Sequence, residues 1–282
     1  MKVVVAGSAG FCYGVKRALD TVLETAKAHG KLMFTLGPLI HNPQVIEKLD
    51  HEGIKSVTDL NRIPSGSILV MPSHGVDINV LEAAKARKLE IIDVTCPFVS
   101  KVHQLAEDLV KQGYQVIVIG DEGHTEVKSI MSRAGDDAFA TSEVGEIKDR
   151  KVKQRVGILA QTTQTIQRYQ QLVAEISKHA TDVQAYNTIC NATAERQKAA
   201  VATAGSVDVM IVVGGRNSAN TRRLAEICAD TGVPTFHVEV ASEIDESWFD
   251  GAGKVGVTAG ASTPDWIIRE VVKKVKEIPP TE

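Results

Sequence analysis

The sequence predicts an α/β fold built from three pseudo-symmetric units with mostly parallel sheets. Three observations carry that prediction. Apolar runs of strand length alternate with amphipathic helical runs along the whole chain. Three of the helical runs open on a cysteine: Cys12 in AGFCYGVKRA, Cys96 in DVTCPFVSKV and Cys190 in NTICNATAER. A strand-like run then follows each cysteine and ends on glycine 24 or 25 residues beyond it, at Gly37, Gly120 and Gly214.

Taken in order, MKVVVAG enters a strand at once. From about Tyr13 to His29, the residues Val15, Ala18, Leu19, Val22, Leu23 and Ala26 share one face of a helix, and Gly30 is its stop. FTLG and ILVMPSHG are the next strands of this unit. After Cys96 the stripe returns as Val99, Val102, Leu105, Ala106, Leu109 and Val110, ending at Gly113, with strands VIVIG and GILAQTTQ. After Cys190 the helix is Ala-rich and stops near Gly205, with strands MIVVG and GVTAGAST. The tail, Asp265 to Ile278, is an amphipathic helix ended by Pro279 and Pro280. The strands are rich in Val, Ile and Leu without clean alternation, as expected of parallel strands covered on both faces. No Pro/Ser-rich linker interrupts the chain, so boundaries fall near the cysteines. The expected units are 1–95 around Cys12, 96–189 around Cys96 and 190–264 around Cys190, with the tail 265–282 packed on the first.

The 282 residues suffice for two or three small domains, and 43% hydrophobic with 24% charged residues is ordinary for a soluble globular protein. A net charge of −3 gives no general attraction to nucleic acid or anionic membrane, and 4% aromatics argue against base-stacking platforms. The apolar runs are far shorter than a membrane span, and the first residues lack signal-peptide organisation, so the expected location is the cytoplasm. Four cysteines with no close pair do not form a disulfide framework.

In open α/β sheets, ligands bind at the carboxyl ends of the strands. The unusual polar residues lie there: His41, Asn42, Ser73 and His74 in the first unit; His124, Glu126, Gln161, Thr162 and Thr163 in the second; Asn217, Ser218, Asn220, Ser262 and Thr263 in the third. A lone buried cysteine is commonly structural, and Cys228, inside RRLAEICADTG, reads that way. The shared placement of the other three, each at a helix N-terminus where the dipole favours thiolate, points instead to a metal or an iron–sulfur cluster. Three ligands leave one position open, for water or a fourth ligand on zinc, or for substrate at one iron of a four-iron cluster. The compact CxxC of zinc ribbons and ferredoxins is absent. His41, His74 and His124, each in a loop after a strand, suit a phosphate or diphosphate as imidazolium donors. GGRNSANTRRL is a glycine-rich strand-to-helix turn that reads as a phosphate cradle or as a plain helix cap. Glu126 shares DEGHTEV with Asp121 and Glu122 upstream in the same loop, so an ordinary helix-start charge and a proton donor both remain open.

Assembled, these motifs resemble the LytB-type 4-hydroxy-3-methylbut-2-enyl diphosphate reductases over essentially the whole chain. The likeness rests on GFCYGV, GPLIHNPQV, SHGV, TCPFVSKVH, GHTEV, QTT, Cys190, NSAN and TAGAS. The resemblance implies a trefoil of three α/β domains around one [4Fe–4S] cluster per chain, held by Cys12, Cys96 and Cys190. It implies that the iron without a cysteine takes the substrate's allylic hydroxyl. His41, His74, His124, Ser218, Ala219, Asn220 and Ser262 would then hold the diphosphate. Glu126, with Thr162 and His124, would deliver the proton that releases water, and a ferredoxin or flavodoxin would bring the electrons. Ala219 stands where some relatives have a second serine, leaving its backbone N–H, and Thr125 replaces a common proline. Without the resemblance, the same residues suit a zinc hydrolase of a phosphorylated metabolite with three cysteine ligands, or a non-catalytic iron–sulfur redox sensor.

Overall fold

The computed structural model describes residues 1–30 and 32–279. The elements repeat one order. The first run is α1 (Tyr13–His29), β2 (Met33–Leu36), α2 (Pro43–His51), β3 (Ile54–Val57), β4 (Ile68–Met71), α3 (Ile78–Ala86) and β5 (Glu90–Asp93), preceded by β1 (Lys2–Val5). The second is α4 (Pro97–Lys111), β6 (Gln115–Ile119), α5 (Thr125–Met131), β7 (Phe139–Thr141), β8 (Arg155–Ala160), α6 (Ile166–Ile176) and β9 (Asp182–Ala185). The third is α7 (Asn191–Ala204), β10 (Val209–Val213), α8 (Ala219–Ala229), β11 (Thr235–Val238), β12 (Lys254–Ala259) and α9 (Asp265–Glu277).

Three four-stranded sheets result, in the orders β3-β2-β4-β5, β7-β6-β8-β9 and β11-β10-β12-β1. Every strand pair in them is parallel. The central strands β4, β6 and β10 are buried along their whole length, which is why they read as unbroken apolar runs. The three glycines that mark the repeat each follow a strand directly. Their amides donate to the carbonyl that ends or adjoins the edge strand: Gly37 to Val57 (2.7 Å), Gly120 to Thr141 (2.9 Å) and Gly214 to Val238 (2.9 Å).

One expectation is corrected. The first strand was assigned to a unit spanning 1–95, but β1 pairs with β12 in register Lys2↔Lys254 and completes the sheet of the third repeat. The reason is the strand that precedes each cysteine. β5 before Cys96 and β9 before Cys190 close the sheets of their preceding repeats as the last strand of a β-helix-β crossover. In the third repeat that edge, after β12 and α9, is filled by β1. Consistently, α9 lies against β1, β10 and β12 and buries Ile267, Ile268, Val271 and Val275 there. Pro280 and residues 281–282 of the expected tail lie outside the described residues.

The helices follow the predicted stripes. On α4 the residues Val99, Val102, Ala106 and Leu109 are buried, whereas Val110, also placed on the stripe, is exposed. The buried face is completed by a histidine, His103. The chain divides into two compact units: Met1–Lys16 with His41–Val45 and Asn191–Glu282, and Arg17–Ile40 with Ile46–Cys190. The first unit holds the sheet of β1, β10, β11 and β12, and the second holds the other two sheets. No helix among the described residues is long and apolar enough to cross a membrane.

Candidate functional site

Each of the three repeated cysteines immediately precedes a helix: α1, α4 and α7. Each is seated by the same bond. The amide of Cys12 donates to Ala261 O at 3.1 Å, that of Cys96 to Ser73 O at 2.9 Å and that of Cys190 to Thr162 O at 3.0 Å. The acceptor is in every case the second residue after a third strand, β12, β4 or β8. The seat therefore belongs to the sheet that the preceding strand has just closed. The three cysteines are half-buried, and none is in a disulfide. Cys228 differs in every respect: it is fully buried among Ala200, Met210, Val212 and Leu224, and burial pushes its thiol up to about 11. Three thiols at three helix starts are, by their chemistry, a donor set suited to an iron–sulfur cluster. Among the described residues, no three His, Cys, Asp or Glu side chains group as a site for a single metal ion. A four-iron core is a different object, because it spreads its cysteines over separate irons.

Within the second unit, Glu126 is the second residue of α5 and only 3% exposed. Its Oε1 accepts from Thr162 N at 2.6 Å and its Oε2 from Thr162 Oγ1 at 2.9 Å. Burial pushes the carboxyl up to about 7, against the opposing pull of the two Thr162 bonds. A group poised there carries a proton near neutral pH and can part with it. Asp121 and Glu122, which the residues alone did not separate from Glu126, lie in the loop before the helix and have no such seat. The same turn is capped by His124, whose Nδ1 accepts from Glu126 N at 3.1 Å. That bond needs a lone pair on Nδ1, which leaves Nε2 as the ring's donor. Gln161, beside Thr162, takes the Asp121 amide on Oε1 at 3.0 Å.

Within the first unit, three turns meet. Ser262 Oγ donates to His41 O at 3.1 Å, and a Cβ on Gly215 would stand 2.6 Å from that same carbonyl oxygen. Only glycine lets the turn after β10 approach the His41 peptide so closely. Burial, with Arg222 nearby, holds the His41 imidazole below its ordinary value. The expected imidazolium is therefore disfavoured until an anion offsets both effects. Ser218 caps α8, its Oγ accepting from Thr221 N at 3.3 Å, and Ala219 opens the helix. Asn220, 4% exposed, has both Oδ1 and Nδ2 buried with no hydrogen-bond partner among the described residues. Asn42 Nδ2 and Gln44 Oε1 are orphaned in the same way. Leaving one such atom unmet costs about 1–3 kcal/mol, so their concentration around these turns fits a site built for a polar ligand.

Sequence reasoning had named most of these positions. It missed Gln44, Ser129 and the buried Arg196, whose Nη2 donates to Gly10 O at 2.8 Å. It also missed Thr188, which both accepts from Ala160 N at 2.8 Å and donates to Ala160 O two residues before Cys190. The signal available for Gln44 was its place: it is the second residue of α2, as Glu126 is of α5 and Asn220 of α8.

The profile of the LytB protein family matches residues 3–276. The 4-hydroxy-3-methylbut-2-enyl diphosphate reductase of Pelobacter propionicus is 46% identical over 278 residues, covering 99% of each chain. That of Geobacter metallireducens is 46% identical over 279 residues, 99% of this chain and 98% of its own. A solved (E)-4-hydroxy-3-methyl-but-2-enyl diphosphate reductase, described as the terminal enzyme of the non-mevalonate pathway, aligns with TM-score 0.70 at 38% identity over 99% of this chain and 100% of that one. The structure of the E-1-hydroxy-2-methyl-but-2-enyl-4-diphosphate reductase from Plasmodium falciparum aligns with TM-score 0.93 at 29% identity, over 99% of this chain and 89% of that one.

Proposed function

We propose that this chain, which belongs to the LytB protein family, removes the hydroxyl of 4-hydroxy-3-methylbut-2-enyl diphosphate reductively. The reaction takes up two electrons and two protons and releases water, leaving isopentenyl or dimethylallyl diphosphate. Cys12, Cys96 and Cys190 hold one [4Fe–4S] cluster. When bound, that cluster supplies the electrons one at a time and a Lewis-acidic iron corner free of cysteine. A ferredoxin or flavodoxin delivers the electrons. The observation that carries this reading is the common seat of the three cysteine amides on Ala261, Ser73 and Thr162.

The remaining work falls to side chains. His41, Ser218, Asn220, Ser262 and the Ala219 N–H bind the diphosphate, with His74 and His124 as further donors. Asn220 is the natural ligand among them, since its amide has no partner in the protein. Glu126 is protonated below about pH 7 and gives that proton to the departing hydroxyl. Thr162 holds both carboxyl oxygens, which fixes the direction of transfer. The second proton is added at one end or the other of the allylic unit, which selects the product.

Anaerobic purification tests the reading. Iron and sulfide near four each per chain, with turnover of the diphosphate by reduced viologen, are the expected results. Zinc in place of iron would support a hydrolase, and a cluster without turnover would support a sensor. Cys96→Ser should lose the cluster and most activity, whereas Cys228→Ser should keep both. A fully active Cys96→Ser protein overturns the assignment.

A further inference from the structure

His103 and Ser129 are not explained by the reaction described above. His103 projects from α4 and Ser129 from α5, and both are buried, with Ser129 only 1% exposed. The His103 Nε2 lies 2.8 Å from Ser129 Oγ. That hydroxyl also faces two carbonyl oxygens, Glu126 O at 2.8 Å and His74 O at 3.1 Å. A hydroxyl has one hydrogen, and carbonyls only accept. The hydrogen therefore goes to the carbonyls, and the lone pair of Oγ must receive Nε2–H from the ring. The ring hydrogen facing Ser129 is therefore on Nε2. Burial, with Arg133 adding to it and Asp93 opposing, holds the ring at about 4, so it stays neutral across the working range.

The pair thus joins the Glu126 turn and the His74 loop at one oxygen. Glu126 is the proposed proton donor, and His74 a proposed diphosphate ligand from the loop after β4. The loop has been shaped to admit the ring. Gly75, between His74 and Val76, has φ +77°, and a Cβ there would stand 2.7 Å from His103 Cε1. A second stitch runs parallel: Arg133 Nη1 donates to Val76 O at 3.0 Å and to Ser129 O at 2.6 Å.

We propose that the His103–Ser129 pair is a positioning device that locks the Glu126 turn of α5 to the His74 loop, setting the proton donor and a diphosphate ligand in one fixed geometry. The proposal rests on the roles given above to Glu126 and His74. The titratable and charged groups around the pair are His74 and Glu126 on the site side and Arg133 and Asp93 on the other.

The test is steady-state kinetics of the cluster-loaded enzyme with the hydroxymethylbutenyl diphosphate and reduced viologen, over a range of pH. Ser129→Ala should lower kcat roughly tenfold and raise KM roughly threefold at unchanged iron content, the scale expected when a reacting group is misplaced by a fraction of an ångström. It should also move the alkaline limb of kcat to lower pH, because a slackened α5 turn admits water to the Glu126 carboxyl and weakens the desolvation that raises it. Partial unfolding alone scales kcat and leaves KM and the limb in place. His103→Gln still offers an N–H at similar reach and should stay within about twofold of the wild type, whereas His103→Leu should match Ser129→Ala. Combining His103→Leu with Ser129→Ala should add little to either, since they remove one interaction. An active wild type with Ser129→Ala and His103→Leu both normal in kcat, KM and pH limb overturns the positioning role alone. A wild type that is folded and loaded but does not turn over the diphosphate overturns this role together with the functional reading.

Discussion

Glu126 and Asn220 occupy the same place in two repeats: each is the second residue of the helix that follows a Gly-ended strand. Their surroundings differ in what is left undone. The Glu126 carboxyl is met on both oxygens by Thr162. The Asn220 amide is buried with neither atom met by the protein. One fold therefore produces a finished group and an unfinished one from the same backbone position. In the proposed function, the finished group serves for a proton and the unfinished one for a ligand. Duplicated architecture fixes where a side chain points, and a single residue choice then decides between chemistry and binding.

The largest test of that contrast is to make the finished position resemble the unfinished one. Glu126→Gln should retain diphosphate binding and lose turnover by a factor of roughly 10²–10⁴, the usual scale of acid catalysis. Single-turnover kinetics with measured substrate affinity checks it, and normal turnover would place the proton source elsewhere.

Next in size is a stability effect of the same group. The folded carboxyl titrates at about 7 against an ordinary 4.5. Between those values the folded chain keeps a proton that the unfolded chain has released, so the contribution to stability is full at low pH and falls as pH rises through the window. The loss is on the order of 3 kcal/mol for the whole shift. Urea unfolding of wild type and Glu126→Gln at pH 5 and pH 7 should show a smaller fall in the variant. Parallel falls would mean the carboxyl is not raised.

The smallest effect is expected at the unfinished position. Asn220→Ala removes ligand contacts that the protein does not itself use, so KM should rise about tenfold, as for one or two hydrogen bonds, with folding stability unchanged or slightly improved. A substantial drop in melting temperature would show that the amide has a partner after all.

Much of this was legible before any coordinates. Parallel strands covered on both faces leave continuous apolar runs, and helices packed on them leave stripes, so the α/β class and the three cysteine-led repeats followed from local pattern. What did not follow were pairings between distant segments. Nothing in MKVVVAG says that its partner is Lys254–Ala259, because an apolar strand carries no mark of which sheet edge it completes. Glu126 could not be told from Asp121 and Glu122 for a related reason. What distinguishes it is burial and a partner 36 residues away, and neither leaves a trace in the loop's composition.

The placement of β1 has a consequence for synthesis. Residues 2–5 leave the ribosome long before their sheet partner at 254–257 is made. The Cys12 amide must likewise wait for Ala261. The first cysteine made is thus the last to be seated, while Cys96 and Cys190 can settle on acceptors already translated. A ribosome-stalled chain ending before residue 254 should accordingly leave the Cys12 amide unseated while those of Cys96 and Cys190 are already bonded.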